Sequence, residues 1–196
     1  MLSEIDGTFI YTTSDPLETL ALADDVFVLD DGGIVDKGTI DQVYEEPSSL
    51  RSMQLLGFPG ANTMPGILDG GICRSAFGAF SVEFVASAGP ASAREVTVLF
   101  RPEAILFGDE GRTPGLLRIE ARELLREDLG AETILYFEAS DLRYVGYWSN
   151  GSTLPQLEKV FQAGLSARDV LIFETATGRR LGRGKDLHVG SAVGEN

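Results

Sequence analysis

The feature that most constrains this chain is a change of period at Phe58-Pro59-Gly60-Ala61-Asn62. Before it, apolar residues recur at helical spacing. After it, almost no helical periodicity remains. Short apolar runs follow one another instead, each bounded by glycine or polar turns: "NTMPGILDGG", "ICRSAFGAFSVEF", "EVTVLFRP", "AETILYFEAS", "YVGYWSN", "DVLIFETATG" and "RRLG". Many short strands with turn signals this regular predict a closed or nearly closed β-barrel. The run "LLRIEARELLREDLG" reads two ways. Its alternation at Leu117, Ile119 and Ala121 favours a strand, while its later leucines fit a helical turn.

The first 58 residues follow other rules. "TFIYTT" at 8–13 is β-branched and aromatic, and reads as a buried strand. A helix start follows, with Asp15 as N-cap, Pro16 at the first helical position and Glu18 three residues after the cap. "VFVLDD" reads as a second buried strand, Gly32-Gly33 as its turn and "IVDKG" as the returning strand. Thr39 can cap a helix that places Ile40, Val43 and Tyr44 on one face and ends at Pro47. "SSLRSMQLLG" predicts a third helix, with Leu50, Met53 and Leu55 or Leu56 in a stripe and Gly57 as C-cap. The expected organisation is a short α/β segment over residues 1–58, a mainly β domain over 59–190 and a tail at 191–196.

A chain of 196 residues can bury a core without metal or disulfide staples. Its formal charge of −14 repels nucleic-acid backbones, so no nucleic-acid partner is expected. The basic residues near the end (Arg168, Arg179, Arg180, Arg183, Lys185) are interleaved with acids and read as a solvated pattern flanking strands. Cys73 stands alone, with one histidine, His188, elsewhere. That excludes an intrachain disulfide and a zinc site built from cysteines, and predicts a small half-buried side chain. No apolar run has the length of a membrane span, and the N-terminus lacks the regions of a signal peptide. Any membrane link is expected through a partner.

"IYTTSDPLETLALADDVFVLDDGGIVDKGTIDQVYEEP" resembles the end of the ATP-binding subunit of ABC importers, specifically the sugar-importer ATPases related to the maltose system. The shared pattern runs through Thr13-Ser14-Asp15, Leu22-Ala23-Asp24, the hairpin from Val28 to Gly38, Gly38-Thr39 and Tyr44 to Pro47. "LLGFPGANTMPG" is similar to that family's linker into its accessory domain. "VTVLFRPEAILF" is similar to its strand followed by Arg-Pro-Glu, and "LIFETATGRRL" to its closing strand. The resemblance implies an OB-like barrel, often called a TOBE domain, preceded by a short α/β remnant of the ATPase domain.

It also implies a C-terminal fragment of a longer subunit. The phosphate-binding loop, the acidic pair that holds Mg²⁺ and the signature motif are not in this sequence. The nearest imitation, "GRRLGRGKD" at 178–186, places Asp186 where a phosphate loop needs Ser or Thr. The chain itself is therefore expected to be non-catalytic, with no metal site, while ATP and Mg²⁺ are implied for the full-length parent. Ser14 occupies the family's switch-histidine position, and also reads, with Asp15, as part of a helix cap. A serine hydroxyl there is shorter than an imidazole and does not titrate near neutral pH. The implied partners are a second ATPase subunit and transmembrane permease subunits. The implied location is cytoplasmic, at the inner face of the cell membrane. The expected role is regulation and dimerisation in the import of a sugar or sugar alcohol, with "AFGAFSVEF" as apolar contact surface. The alternative is a module on the same barrel that binds a small ligand, an oxyanion or a sugar. Tyr144, Tyr147 and Trp148 read either as a stacking platform or as core and subunit contact. Arg101-Pro102-Glu103 reads as a strand end held by local ion pairing.

Overall fold

The computed structural model describes residues 7–149 and 157–188. Helix α1 (Pro16–Leu22) starts as its sequence dictates: extended Asp15 accepts the Leu17 N–H on its carboxylate at 2.8 Å, and Pro16, which has no N–H, needs no acceptor. Strands β1 (Asp25–Asp30) and β2 (Gly33–Thr39) form an antiparallel ribbon turned at Asp31 and Gly32, both at positive φ. Helix α2 (Ile40–Glu45) carries a complete capping box between Thr39 and Gln42. Helix α3 (Leu50–Leu55) is capped by Ser49, whose hydroxyl accepts from the Ser52 N–H. Its C-cap is Leu56, one residue before the predicted Gly57. A small core of Val28, Val43 and Leu56 joins ribbon and helices.

Two expectations about this segment are corrected. Residues 8–13 form no strand; Phe9, Tyr11 and above all Ile10, at 94%, are exposed. β propensity alone does not make a strand, because the main chain needs a neighbour to complete a ladder. Among the described residues, β1 and β2 pair only with each other. "VFVLDD" is likewise not a buried strand. Val28 faces the small core, while Phe27, Leu29 and Ile34 stand exposed on the ribbon's other face.

The remainder is mainly β. β3 (Asn62–Asp69), β4 (Ile72–Ser75) and β5 (Gly78–Phe84) form a meander, and β6 (Arg94–Phe100) crosses back to pair with β3. β7 (Ile105–Leu106) and the single-turn α4 (Gly108–Gly111) lead to β8 (Leu117–Asp128), β9 (Thr133–Ala139) and β10 (Leu142–Trp148). β11 (Val160–Leu165), β12 (Val170–Glu174) and β13 (Arg180–Leu187) complete the chain. Six strands close a barrel in the order β12-β13-β5-β4-β3-β6, shut because β6 pairs with both β3 and β12. This is the expected OB-like barrel. A second sheet, β10-β9-β8-β11-β7, lies on it.

The ambiguous run 116–130 resolves as one long strand, β8. Leu117, Ile119 and Ala121 point inward, and β9 and β11 flank β8 on either side. A helical turn there would leave the facing edges of both neighbours unpaired. A bulge between Glu123 and Leu125 interrupts the alternation.

One continuous core joins barrel and sheet. Its centre is aromatic: Tyr144 lies between Phe77, Phe100 and Phe137, with ring centroids 5.1–5.9 Å apart. Each such ring contributes roughly 2 kcal/mol by burial alone. Phe77 and Phe80, expected to offer contact surface in "AFGAFSVEF", point into this core. Cys73 is fully rather than half buried, and burial pushes its thiol up to about 12.

Candidate functional site: the junction between the helical segment and the barrel

The segment's helices meet the barrel through a short apolar contact. Met53 and Leu50 of α3 pack on Leu99 of β6 and on Leu171 and Phe173 of β12. These β6 and β12 residues belong to the barrel's outer side, because their neighbours Val98, Phe100, Val170 and Ile172 fill its interior.

Arg101 follows directly on β6 and is only 8% exposed. Its Nη1 donates to the carbonyls of Met53, at 3.2 Å, and Leu56. Its Nη2 donates to the carbonyl of Tyr44 at 2.9 Å. One guanidinium thus satisfies carbonyls at the ends of both α2 and α3, which have no partners within their own helices. Its central carbon lies 3.9 Å from the centroid of the Tyr44 ring. The Tyr44 hydroxyl donates to Glu103 at 2.7 Å. Burial lowers the Arg101 pKa, and burial with the Glu103 bond raises that of Tyr44 to about 12. Both keep their protons at neutral pH.

Arg101-Pro102-Glu103 is therefore not held by local ion pairing. Three main-chain carbonyls from the other side of the junction replace a carboxylate partner, because the strand end is covered by helix ends that offer only carbonyls. Gly57 is required beside it: a Cβ would lie 2.5 Å from Arg101 Nη1, and its φ is +147°.

Further ties surround this bond. Glu46 receives Arg180 and, at 2.6 Å, Arg183, which also donates to the Glu45 carbonyl. Residues 48–50 pair with the β12–β13 turn: Leu50 N–H to Gly178 O at 2.7 Å and Arg180 N–H to Ser48 O at 3.0 Å. Asp36 of β2 accepts the N–H and hydroxyl of Ser48, each at 2.7 Å. Arg51 pairs with Asp30 of β1 at 3.0 Å. The solvated reading of the C-terminal basic residues is corrected for Arg180 and Arg183, which reach back across the junction. Arg168 stays exposed, paired loosely with Asp186.

Beside Arg101 lies a groove of about 470 Å³, lined by Glu45, Glu46, Glu103 and Asp169 together with Arg101 and Arg183. Burial raises the Asp169 pKa, against the opposing pull of Arg183. Four carboxylates against two arginines make poor lining for an oxyanion.

The other sequence candidates fall elsewhere. Ser14 sits exposed in the bend before α1, and the cap is supplied by Asp15. Glu18 turns back to accept from Thr13 and Tyr11. Residues 180–186 of "GRRLGRGKD" lie in β13, not in a phosphate-type loop. Gly182 and Gly184 lie there because a Cβ would strike the carbonyls of Glu83 and Ala167. Tyr144, Tyr147 and Trp148 make no common platform. Tyr144 is core, Trp148 packs edgewise on Phe107, and Tyr147 is carried on the opposite face of β10. His188 is exposed, and Asn150-Gly151-Ser152 lies outside the described residues. Among the described residues no helix is long and apolar enough to cross a membrane, and no group of His, Cys, Asp or Glu is placed to hold a metal ion.

Sequence reasoning missed Asn62. Its amide donates to Val145 O and accepts the Val145 N–H, each at 2.7 Å, and so stands in for a strand beside the outer edge of β10. The signal was a polar residue at an inward position of an otherwise apolar alternation.

An OB-like barrel fastened to a capped hairpin-and-helix segment is the architecture the resemblance implied, and over most of its length the chain is similar to import ATP-binding proteins. Its relatives carry the same description. It is 27% identical over 176 residues to the sn-glycerol-3-phosphate import ATP-binding protein UgpC of Ruegeria sp. (strain TM1040), covering 89% of this chain and 47% of that protein. The protein of the same description from Brucella suis biovar 1 (strain 1330) is 30% identical over 186 residues, 89% of this chain and 46% of its own. The trehalose/maltose import ATP-binding protein MalK of Thermococcus litoralis is 26% identical over 187 residues, 91% of this chain and 50% of its own. The chain spans about half the length of the curated relatives it matches. No family model matches it.

Proposed function

We propose that this chain is the regulatory and dimerising part of an importer's ATP-binding subunit, with a sugar, a sugar alcohol or its phosphate as the solute class. The observation that carries the reading is the junction. A barrel with no metal-holding cluster among its described residues is fastened by Arg101, Glu46 and residues 48–50 to the segment that, in relatives, belongs to an ATP-binding protein. In this reading residues 1–58 are the end of the ATPase domain, 59–190 the accessory domain and 191–196 a tail. Ser14 stands at the switch-histidine position of the parent, where ATP and Mg²⁺ act. The exposed face of Phe27, Leu29 and Ile34 packs against the rest of that domain.

The partners are permease subunits and a second ATPase subunit, and the location is the cytoplasmic face of the membrane. The surface for the second subunit is the far end of β8, where Leu124, Leu125 and the following Leu129 are exposed. The acidic groove weighs against the oxyanion alternative. Sedimentation equilibrium of the chain, with an ATPase assay alongside, tests this. The expected result is a reversible dimer that hydrolyses no ATP. A monomer at every concentration, or turnover by the isolated chain, overturns it.

A further inference from the structure

We propose that Arg101 is a coupling latch that makes residues 40–57 open and close with the barrel rather than with the ribbon β1–β2 to which they are contiguous. The inference deepens the regulatory reading above, but its test reads only the mechanics of this chain.

Four observations carry it. First, the bonding is unusual for a buried cation. Arg101 spends its charge on the carbonyls of Tyr44, Met53 and Leu56, with no carboxylate in direct contact. A buried guanidinium so placed is costly to strand without partners. The two helix ends cannot leave the barrel one at a time, since each departure leaves the same cation under-bonded. Second, the fork geometry demands it: three carbonyls from two helices converge on one planar group, which a lysine's point-like ammonium cannot match. Third, the backbone is shaped around it. Gly57 takes a φ of +147° in the one place where a side chain would displace Nη1. Fourth, the helices face two ways, and most of their polar bonds point to the barrel. Toward the ribbon they have the Val28 core with half-buried Leu20, Val26 and Val35, the Ile40 N–H on Asp24 O, the Asp36–Ser48 bonds and the exposed Arg51–Asp30 pair. Toward the barrel they have the Met53 cluster, the latch, the Glu46 pairs and main-chain bonds at residues 48–50.

The consequence is a lever. A partner that shifts the barrel carries α2 and α3 with it, and the strain falls on the ribbon and on the bend that holds Ser14. The weak seam of the molecule then lies between the ribbon and helices α2 and α3, not at Phe58.

Native-state hydrogen exchange, resolved by residue, tests the latch on the chain as it stands. In the unaltered protein, amides of α2 and α3 are expected to share the protection of β6 and β12, with the ribbon opening first. In Arg101→Gln, amides at 40–57 are expected to exchange roughly ten- to hundredfold faster while β3, β6 and β12 keep their rates. Arg101→Lys is expected to recover only part of the protection, and Gly57→Ala to reproduce the Arg101→Gln pattern from the other side of the bond. Uniform acceleration of barrel and helices would mark Arg101 as ordinary core and overturn the proposal. So would no change at 40–57, full rescue by lysine, or helices that in the unaltered protein open with the ribbon. If Arg101→Gln does not fold, the unaltered protein and Gly57→Ala still decide. A monomeric chain that shows the latch would reject the dimer reading and leave this one standing.

Discussion

The α/β segment and the barrel cohere by different means. Residues 1–58 hold twelve carboxylates against two basic side chains, whereas the remaining 138 residues hold eighteen against fourteen. The segment's own core is three buried side chains, and the helix α1 buries none of its residues. The barrel and its companion sheet share one core centred on stacked and edge-on rings. A closed barrel supplies every interior strand with two neighbours, so it is self-sufficient. A two-stranded ribbon apolar on both faces is not, and is marginal in isolation. The segment is therefore held from outside, by caps, by its own short core and by what the barrel lends it.

The largest expected effect is in the barrel. Phe100→Ala should cost about 3–5 kcal/mol in urea unfolding, because the cavity would open at the centre of the ring cluster. Phe27→Ala, the same change on the exposed ribbon face, should stay within about 0.5 kcal/mol. Equal costs would break the comparison.

Asn62→Ala should cost about 2 kcal/mol, since it strands the N–H and carbonyl of Val145. The loss should appear in the barrel's transition, with β10 amides losing protection first. Thr39→Ala removes a capping box and should cost about 1 kcal/mol, read as weaker helical circular dichroism with barrel unfolding nearly unchanged. Glu46→Gln should cost less than about 1 kcal/mol and the difference should shrink in salt, because the carboxylate is half exposed. A salt-independent loss would show the pair to be more deeply shielded than its geometry implies.

The smallest effect is pH-dependent. Burial raises the folded pKa of Asp169 above its unfolded value. The folded state then holds the proton more tightly, so the group favours folding at low pH. That contribution is complete below the unfolded pKa and is lost as pH rises through the folded one. Asp169→Asn, which mimics the protonated form, should raise the melting temperature slightly at neutral pH and not at all below the ordinary carboxylate range. A gain that persists at low pH would point to a packing effect instead.

Local chemistry was legible in the chain. Asp15, Thr39 and Gly32 each act within a few residues of themselves, so cap and turn positions could be read from adjacent letters. The inward alternation of Leu117, Ile119 and Ala121 was visible too, although the run's later leucines matched a helix equally well. What misled was the assumption that an apolar run is a buried run. "TFIYTT" has the composition of a strand and no neighbour among the described residues. Arg101 misled in the opposite sense. Charge beside Glu103 suggested a local pair, but its partners are carbonyls from residues about fifty positions earlier. Carbonyls carry no sequence signature at all.

Period, turn chemistry and helix caps were thus set by the order of residues alone, because each depends on contacts a few positions apart. The closure of the barrel, the burial of Cys73 and Tyr144, the Asn62 edge and the Arg101 bond were decided only when distant segments met. Each of these depends on which main-chain or apolar groups arrive from elsewhere, and every residue presents the same N–H and carbonyl until the fold selects among them.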